Sequence, residues 1–214
     1  MKRFARLLVF SLVMALGCSS KPSRSVATKE INHFLEGFDL PLMLKIGTLG
    51  KCAVARGPDS AISYPVAEKL GYITIRAVAD KSWQIDLTDA GSTYLRSRKE
   101  TPYSHEVSSC GDYSQVDFLV AERKVTTISD IAPYPQGGMA VAFKWKWVPT
   151  TIGRRLSLSG DIYSQLSSDQ LHALLHDLQF AGPGFEIEDL TDSAERDAKV
   201  LLKKTDTGWK VVNK

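Results

Sequence analysis

The sequence predicts an α+β fold, on three observations. Residues 139–148 alternate, with Met139, Val141, Phe143, Trp145 and Trp147 on one side and small or basic residues, closing on Val148, on the other. A period-two pattern this long marks a strand with one buried and one largely exposed face. Ile31, Phe34, Leu35 and Phe38 fall at i, i+3, i+4 and i+7, one apolar helical face. Residues 72–87 and 199–212 each hold two β-rich runs around a polar tip and read as hairpins.

Taken in order, the first helix runs over 28–38, with Thr28 available as its N-cap. Pro41 interrupts, and residues 42–46 form a second short apolar run, counted with the helices and closed by Gly47. A third helix covers 62–70, with Gly71 as its stop and Pro65 drawing its start toward Tyr64. The first hairpin pairs 72–78 with 83–87 across Ala79-Asp80-Lys81-Ser82, and Thr88-Asp89-Ala90-Gly91 opens a helix or turn leading to Leu95. Residues 97–114 read as polar loop. Strands follow at 116–120 and 125–128, then an irregular Pro/Gly stretch at 133–138 and the alternating strand. Ser167 and Gln170 have capping-box spacing, and the helix they open carries Leu171, Leu174, Leu175 and Leu178 on one face and stops near Gly182. The last hairpin turns at Thr205-Asp206-Thr207-Gly208.

The N-terminus carries a different kind of signal. Lys2, Arg3 and Arg6 precede an apolar stretch of 11 residues, Leu7 to Gly17, too short for the roughly 20 residues that span a bilayer. Ala15-Leu16-Gly17-Cys18 then resembles the lipobox of bacterial lipoproteins cleaved by signal peptidase II, Gly17 and Cys18 matching and Ala15-Leu16 departing from the usual Leu-Ala/Ser order. The resemblance covers residues 1–19 and implies a signal peptide at 1–17, palmitate-type acylation of Cys18, and, with Ser19 next, sorting to the outer membrane. Ala15-x-Gly17 also satisfies ordinary secretion, so a soluble periplasmic or secreted protein is the alternative. Three cysteines leave an odd thiol in an exported chain, which acylation of Cys18 would remove. Residues 18–27 read as the lipidated cysteine and a Ser-rich tether.

Cys52 and Cys110 are disulfide candidates in an exported location. By restricting the unfolded chain, the long loop they close would contribute about 4 kcal/mol. Two separate buried thiols are the alternative.

Residues 30–97 weakly resemble a winged helix-turn-helix, the hairpin standing as the wing. The expected body is therefore a winged-helix-like α+β half at 28–97, with a wing-like β-hairpin, and an antiparallel β-rich half with one packed amphipathic helix at 98–214, the two forming either separate units or one domain. The helix before the hairpin offers Lys69 beside Glu68 and little other positive charge, against the several phosphate contacts that nucleic-acid affinity requires. No nucleic-acid partner is expected.

With 43% hydrophobic and 24% charged residues, the 214-residue chain falls among globular proteins rather than disordered or polytopic ones. Its net charge of +3 would suggest an acidic partner. Removing residues 1–17, however, removes Lys2, Arg3 and Arg6 and no acid, so the excess belongs to the export signal.

Two patterns could carry chemistry. His172 and His176 stand at i and i+4, a zinc-clasping spacing, but Ala173 occupies the place of the glutamate in H-E-x-x-H. No metal and no cofactor are expected. Phe143, Trp145 and Trp147 form a candidate ligand platform for glycan rings, although the same alternation serves equally as a core face. No G-x-S-x-G, Walker loop or dinucleotide fingerprint occurs, and no catalytic residue is assigned. The expectation is a membrane-anchored periplasmic lipoprotein acting without catalysis, as a protein-binding or envelope-assembly module. A glycan or small-ligand binder using the aromatic strand is the alternative.

Overall fold

The computed structural model describes residues 21–37, 42–52, 62–78, 82–97, 103–107, 111–181 and 185–212. The fold is α+β, as the periodicities predict. The signal peptide, the lipobox with Cys18, and Cys110 lie outside the described residues, and of Cys52 only the backbone is described.

Helix α1 (Arg24–Gly37) begins ahead of Thr28. Ser23 caps it: its Oγ accepts from Val26 N at 3.2 Å and its carbonyl from Ala27 N at 3.0 Å. Ala27, Ile31 and Leu35 are buried on one face. The apolar run counted with the helices is instead strand β1 (Leu42–Cys52). Leu42, Leu44 and Ile46 are buried and Lys45 is exposed, a period of two that the apolar Met43, half-buried between Leu42 and Leu44, conceals.

Helix α2 (Ser63–Lys69) carries Pro65 in its first turn, where no N–H is needed. Strands β2 (Ile73–Val78) and β3 (Ser82–Leu87) pair antiparallel over their whole length. Helix α3 (Asp89–Ser97) is capped by Thr88, whose Oγ1 accepts from Gly91 N at 3.0 Å and donates to the Gly71 carbonyl at 2.6 Å. The stretch read as polar loop holds strand β4 (Tyr103–Val107), and its partner begins at Gly111. Pairing, not local composition, orders it.

The two strands expected at 116–120 and 125–128 are one, β5 (Gly111–Pro133). The charged residues between them do not break it, because Lys124 pairs with Glu122 at 3.3 Å and with Glu36 of α1 at 3.2 Å, while Arg123 turns inward. Strand β6 (Met139–Pro149) follows the 134–138 turn and pairs with β5 along its length. Two short elements had no sequence signal, α4 (Thr151–Leu156), capped by Thr150, and α6 (Asp189–Asp192). Between them lie a 3-10 turn (Tyr163–Gln165) and α5 (Ser168–Ala181). The expected capping box is present in both directions: Gln170 N donates to Ser167 Oγ at 3.3 Å and Ser167 N to Gln170 Oε1 at 3.1 Å. Strands β7 (Arg196–Thr205) and β8 (Gly208–Val212) form the last hairpin.

The sheet order is β2-β3-β1-β5-β6-β7-β8, with β4 on the first part of β5 and every pair antiparallel. Because β1 comes from the first half of the chain and β5 from the second, one sheet runs through both. Two cores are built on the β5–β6 ribbon. Around Phe118, Val120 and Trp147 pack β1 and helices α2 to α6. Around Ile128, Val141 and Phe143 pack α1, β7 and β8.

Beyond the Leu42–Ala121 pair, β5 loses its β1 neighbour and carries two bulges, at Thr126 and Ser129. Bulges bend a strand and increase its twist. Helix α1 touches both margins of this four-stranded part: Asn32 Oδ1 accepts from Val125 N of β5 at 2.9 Å, and Glu30 meets Lys210 of β8 at 2.9 Å. Those strands stand three spacings apart, about 14 Å in a flat sheet. One helix reaches both because the sheet curls around it.

Candidate functional site

The site lies where the two cores meet, at Trp145, which packs against both. Register builds it. Arg123 of β5 stands opposite Trp147 of β6, and Trp145 opposite Arg196 of β7. The Arg123 guanidinium lies 4.9 Å from the Trp145 ring centre and 4.7 Å from that of Trp147, and Arg196 lies 5.3 Å from Trp145. Such cation–π contacts contribute about 0.5–2 kcal/mol each, more as they are desolvated. Trp147 meets Trp145 and Phe185 edge-on, at 5.8 and 5.9 Å.

A buried carboxylate organises the other side. Asp189, 3% exposed, takes Arg196 Nη2 at 2.8 Å and Glu186 N at 2.9 Å on one oxygen. Its other oxygen accepts from Ser193 Oγ at 3.0 Å, and that hydroxyl accepts from Trp147 N at 2.9 Å. Helix α6, four residues long, exists to present Asp189 to this network. Arg123 and Arg196 bring two guanidinium groups to the Trp145 ring, and Asp189 pairs with Arg196. Two donors, Arg196 Nη1 and Trp147 Nε1, are buried without an acceptor. Burying such a group without an acceptor costs about 1–3 kcal/mol.

Beside the cluster opens a cleft of about 510 Å³. Phe34 and Leu35 of α1 roof it, Phe143, Trp145, Ala198 and Val200 floor it, and Arg123 stands at one end. Ala198 faces Phe143 across the β6–β7 pair. Its small side chain leaves the space that α1 does not fill.

Of the three aromatic residues proposed as a platform, the structure buries Phe143 (2% exposed) and Trp147 (1%) in the cores, and Phe143 and Trp145 line the cleft while Trp147 does not. Arginines from both flanking strands cover the Trp145 ring, so the three do not present an open surface to a sugar. The physical reason is the curl, which turns the alternating face of β6 toward α1 rather than toward solvent. His172 and His176 are exposed on α5, while Leu174 and Leu178 of the same helix are buried. Among the described residues, no group of three or more His, Cys, Asp or Glu is arranged to hold a metal ion.

Sequence reasoning missed Arg123, Asp189, Ser193 and Arg196. One local signal was available. Arg123 shares its parity with Ala121 and Val125, so a strand through all three must turn the arginine inward. Asp189 and Ser193 lie outside any period, and only the fold brings them to Trp147.

No protein-family model, curated protein or solved structure matches this chain.

Proposed function

We propose that the protein is a membrane-anchored lipoprotein of the bacterial envelope that works by binding rather than catalysis, and that the cleft beneath α1 is its binding site. The lipobox-like Ala15-Leu16-Gly17-Cys18 supports the anchor, and the cleft carries the binding reading. Its volume lies within the range typical of small-molecule sites, and its walls are mostly apolar with few polar groups, as such sites are. The ligand is amphipathic: an apolar body lies over Phe143, Ala198 and Val200, and a polar group meets the Arg123 side of the cleft. This replaces sugar stacking with burial of an apolar body as the driving contact. A partner protein, the other reading of the sequence, has less to hold. The large hydrophobic side chains exposed among the described residues are Val26 and Leu158, in different parts of the fold.

Native mass spectrometry of the chain extracted from membranes tests the site. A small-molecule adduct is expected on the wild type and is expected to vanish from Ala198→Phe, which fills the cleft. An adduct retained equally by Ala198→Phe would place the ligand elsewhere. Palmitate labelling of wild type against Cys18→Ser tests the anchor independently, and equal labelling would rule it out.

A further inference from the structure

The described residues begin three positions after Cys18. Lys21 Nζ donates to the Ile131 carbonyl of β5 at 3.3 Å, Pro22 is buried, and Ser23 caps α1. From Cys18 to Lys21 is three residues, which span about 11 Å at most. Whatever surface holds the Cys18 lipid is therefore close to the end of the sheet at which Ile131 lies. Three other segments share that end. The 134–138 turn joins β5 to β6 there, and the 206–207 turn joins β7 to β8 on the same side, because Pro133 pairs with Met139 and Met139 with Leu202. The first turn packs on β7 just before the second: a Cβ on Gly138, which sits at φ 97°, would come within 2.5 Å of the Leu202 carbonyl oxygen and 3.1 Å of the Lys203 side chain. The start of α1 is the third.

The charge of this end is one-sided. Lys21, Arg24, Lys203 and Lys204 are exposed, against Asp130 and Asp206. Pro135, Gln136 and Thr207 complete its exposed tip. Basic side chains held within a Debye length of a bilayer, about 8 Å at physiological salt, are drawn to anionic headgroups.

We infer that this end, formed by the 134–138 and 206–207 turns with Lys21, Arg24, Lys203 and Lys204, rests on an anionic lipid surface and fixes the orientation of the body on the membrane. The inference rests on acylation of Cys18. It gives the anchor a second contact, since one lipid-bearing residue sets distance but not direction. It also orients the cleft. Leu35 lies twelve residues along α1 from Ser23, about 18 Å of helix, so that part of the cleft stands away from the bilayer, while Tyr134 of the 134–138 turn lines the part nearest to it.

The test uses the full chain as matured in the envelope, reconstituted into vesicles of phosphatidylethanolamine with and without phosphatidylglycerol, together with a phospholipid bearing a photoreactive headgroup. Cross-linked peptides are mapped by mass spectrometry. Cross-links are expected to concentrate on 131–138 and 203–207 and to be absent from 150–165, which follows the opposite end of β6. Lys203→Glu/Lys204→Glu is expected to lower them in phosphatidylglycerol vesicles and to leave them unchanged without that lipid. A long Gly/Ser insert after Ser20 is expected to disperse them. A chain that floats with vesicles but cross-links evenly, or through 150–165, overturns the orientation and leaves the anchor standing. A wild type that floats no better than Cys18→Ser overturns both.

Discussion

One pair of long strands, β5 and β6, serves two regions of this molecule that are closed in opposite ways. At the end around Phe118, β5 has β1 and β4 beside it and several helices pack on the sheet. Tyr72, Tyr94 and Phe118 stack there with ring centres 5.2–5.9 Å apart, and Arg155 ties α4 to Asp161 and to the Leu70 carbonyl. At the end around Ile128 the sheet narrows to four strands, curls, and is covered, among the described residues, by α1, and a cleft lies beneath that helix. The difference teaches where binding is compatible with stability. A curled sheet under one helix leaves space between helix and strands, and the cleft lies there.

The largest effect is expected at the joint between the two ends. Asp189→Ala strands the Arg196 guanidinium and the Ser193 hydroxyl, and removing one partner of a buried ion pair costs about 3–5 kcal/mol. Urea denaturation followed by tryptophan fluorescence should show one transition with a lowered midpoint, since Trp145 and Trp147 couple both cores. Two separated transitions would mean that the ends unfold independently and would break the comparison as drawn. Close behind comes Phe118→Ala, expected to cost about 3–5 kcal/mol by opening a cavity in the many-layered core.

These magnitudes also show what the sequence could express. The α+β class, the alternating strand, the capping box at Ser167 and both hairpins are written in local periods, and local periods are what a chain can display before it folds. The β1 run and β4 were read otherwise because pairing with β5, more than fifty residues away for β1, decides them. The site was legible in two residues of its floor, Phe143 and Trp145. Trp145 stands where the pattern puts it, but the same pattern cannot say that its face turns toward a helix, or that Arg123 and Arg196 flank it. The flanking follows from register with β5 and β7, and the turn toward α1 from a curl with bulges at Thr126 and Ser129, which no residue type announces.

Asn32→Ala sharpens the contrast at smaller scale. The bulge at Thr126 adjoins Val125, whose N–H is taken by Asn32 Oδ1 of α1. Losing that acceptor should cost about 1–3 kcal/mol. Hydrogen exchange should rise at Val125 and through α1, with little change at Phe118. Uniform exchange across both ends would contradict a roof held separately from the other core. Ala198→Leu is expected to change stability by less than about 1.5 kcal/mol, because it adds volume to open space rather than to a packed core, while abolishing ligand retention. A large destabilisation would show that the cleft is not open in solution.

The smallest effect separates the ends by pH. Asp86 accepts from Gln84 at 2.6 Å and from Arg76 at 2.8 Å, and these hydrogen bonds hold its carboxyl below the usual carboxylate range. Asp161 is lowered in the same direction by its paired hydrogen bonds from Arg155. A folded value below the unfolded one means that the native state favours the deprotonated form. The stabilisation is therefore complete above the unfolded value of about 3.9 and disappears as pH falls through the folded value. Both groups belong to the helix-rich end and its hairpin, so acid should loosen that end by this route. Because Arg76 and Asp86 are both exposed, their pair is worth only about 0.2–1 kcal/mol. Asp86→Asn combined with Asp161→Asn should flatten the stability profile below about pH 4. It should leave probe binding in the α1-roofed cleft unaltered at pH 7. Acid sensitivity undiminished in that double variant would assign the loss to other carboxylates and remove electrostatics from the contrast between the two ends.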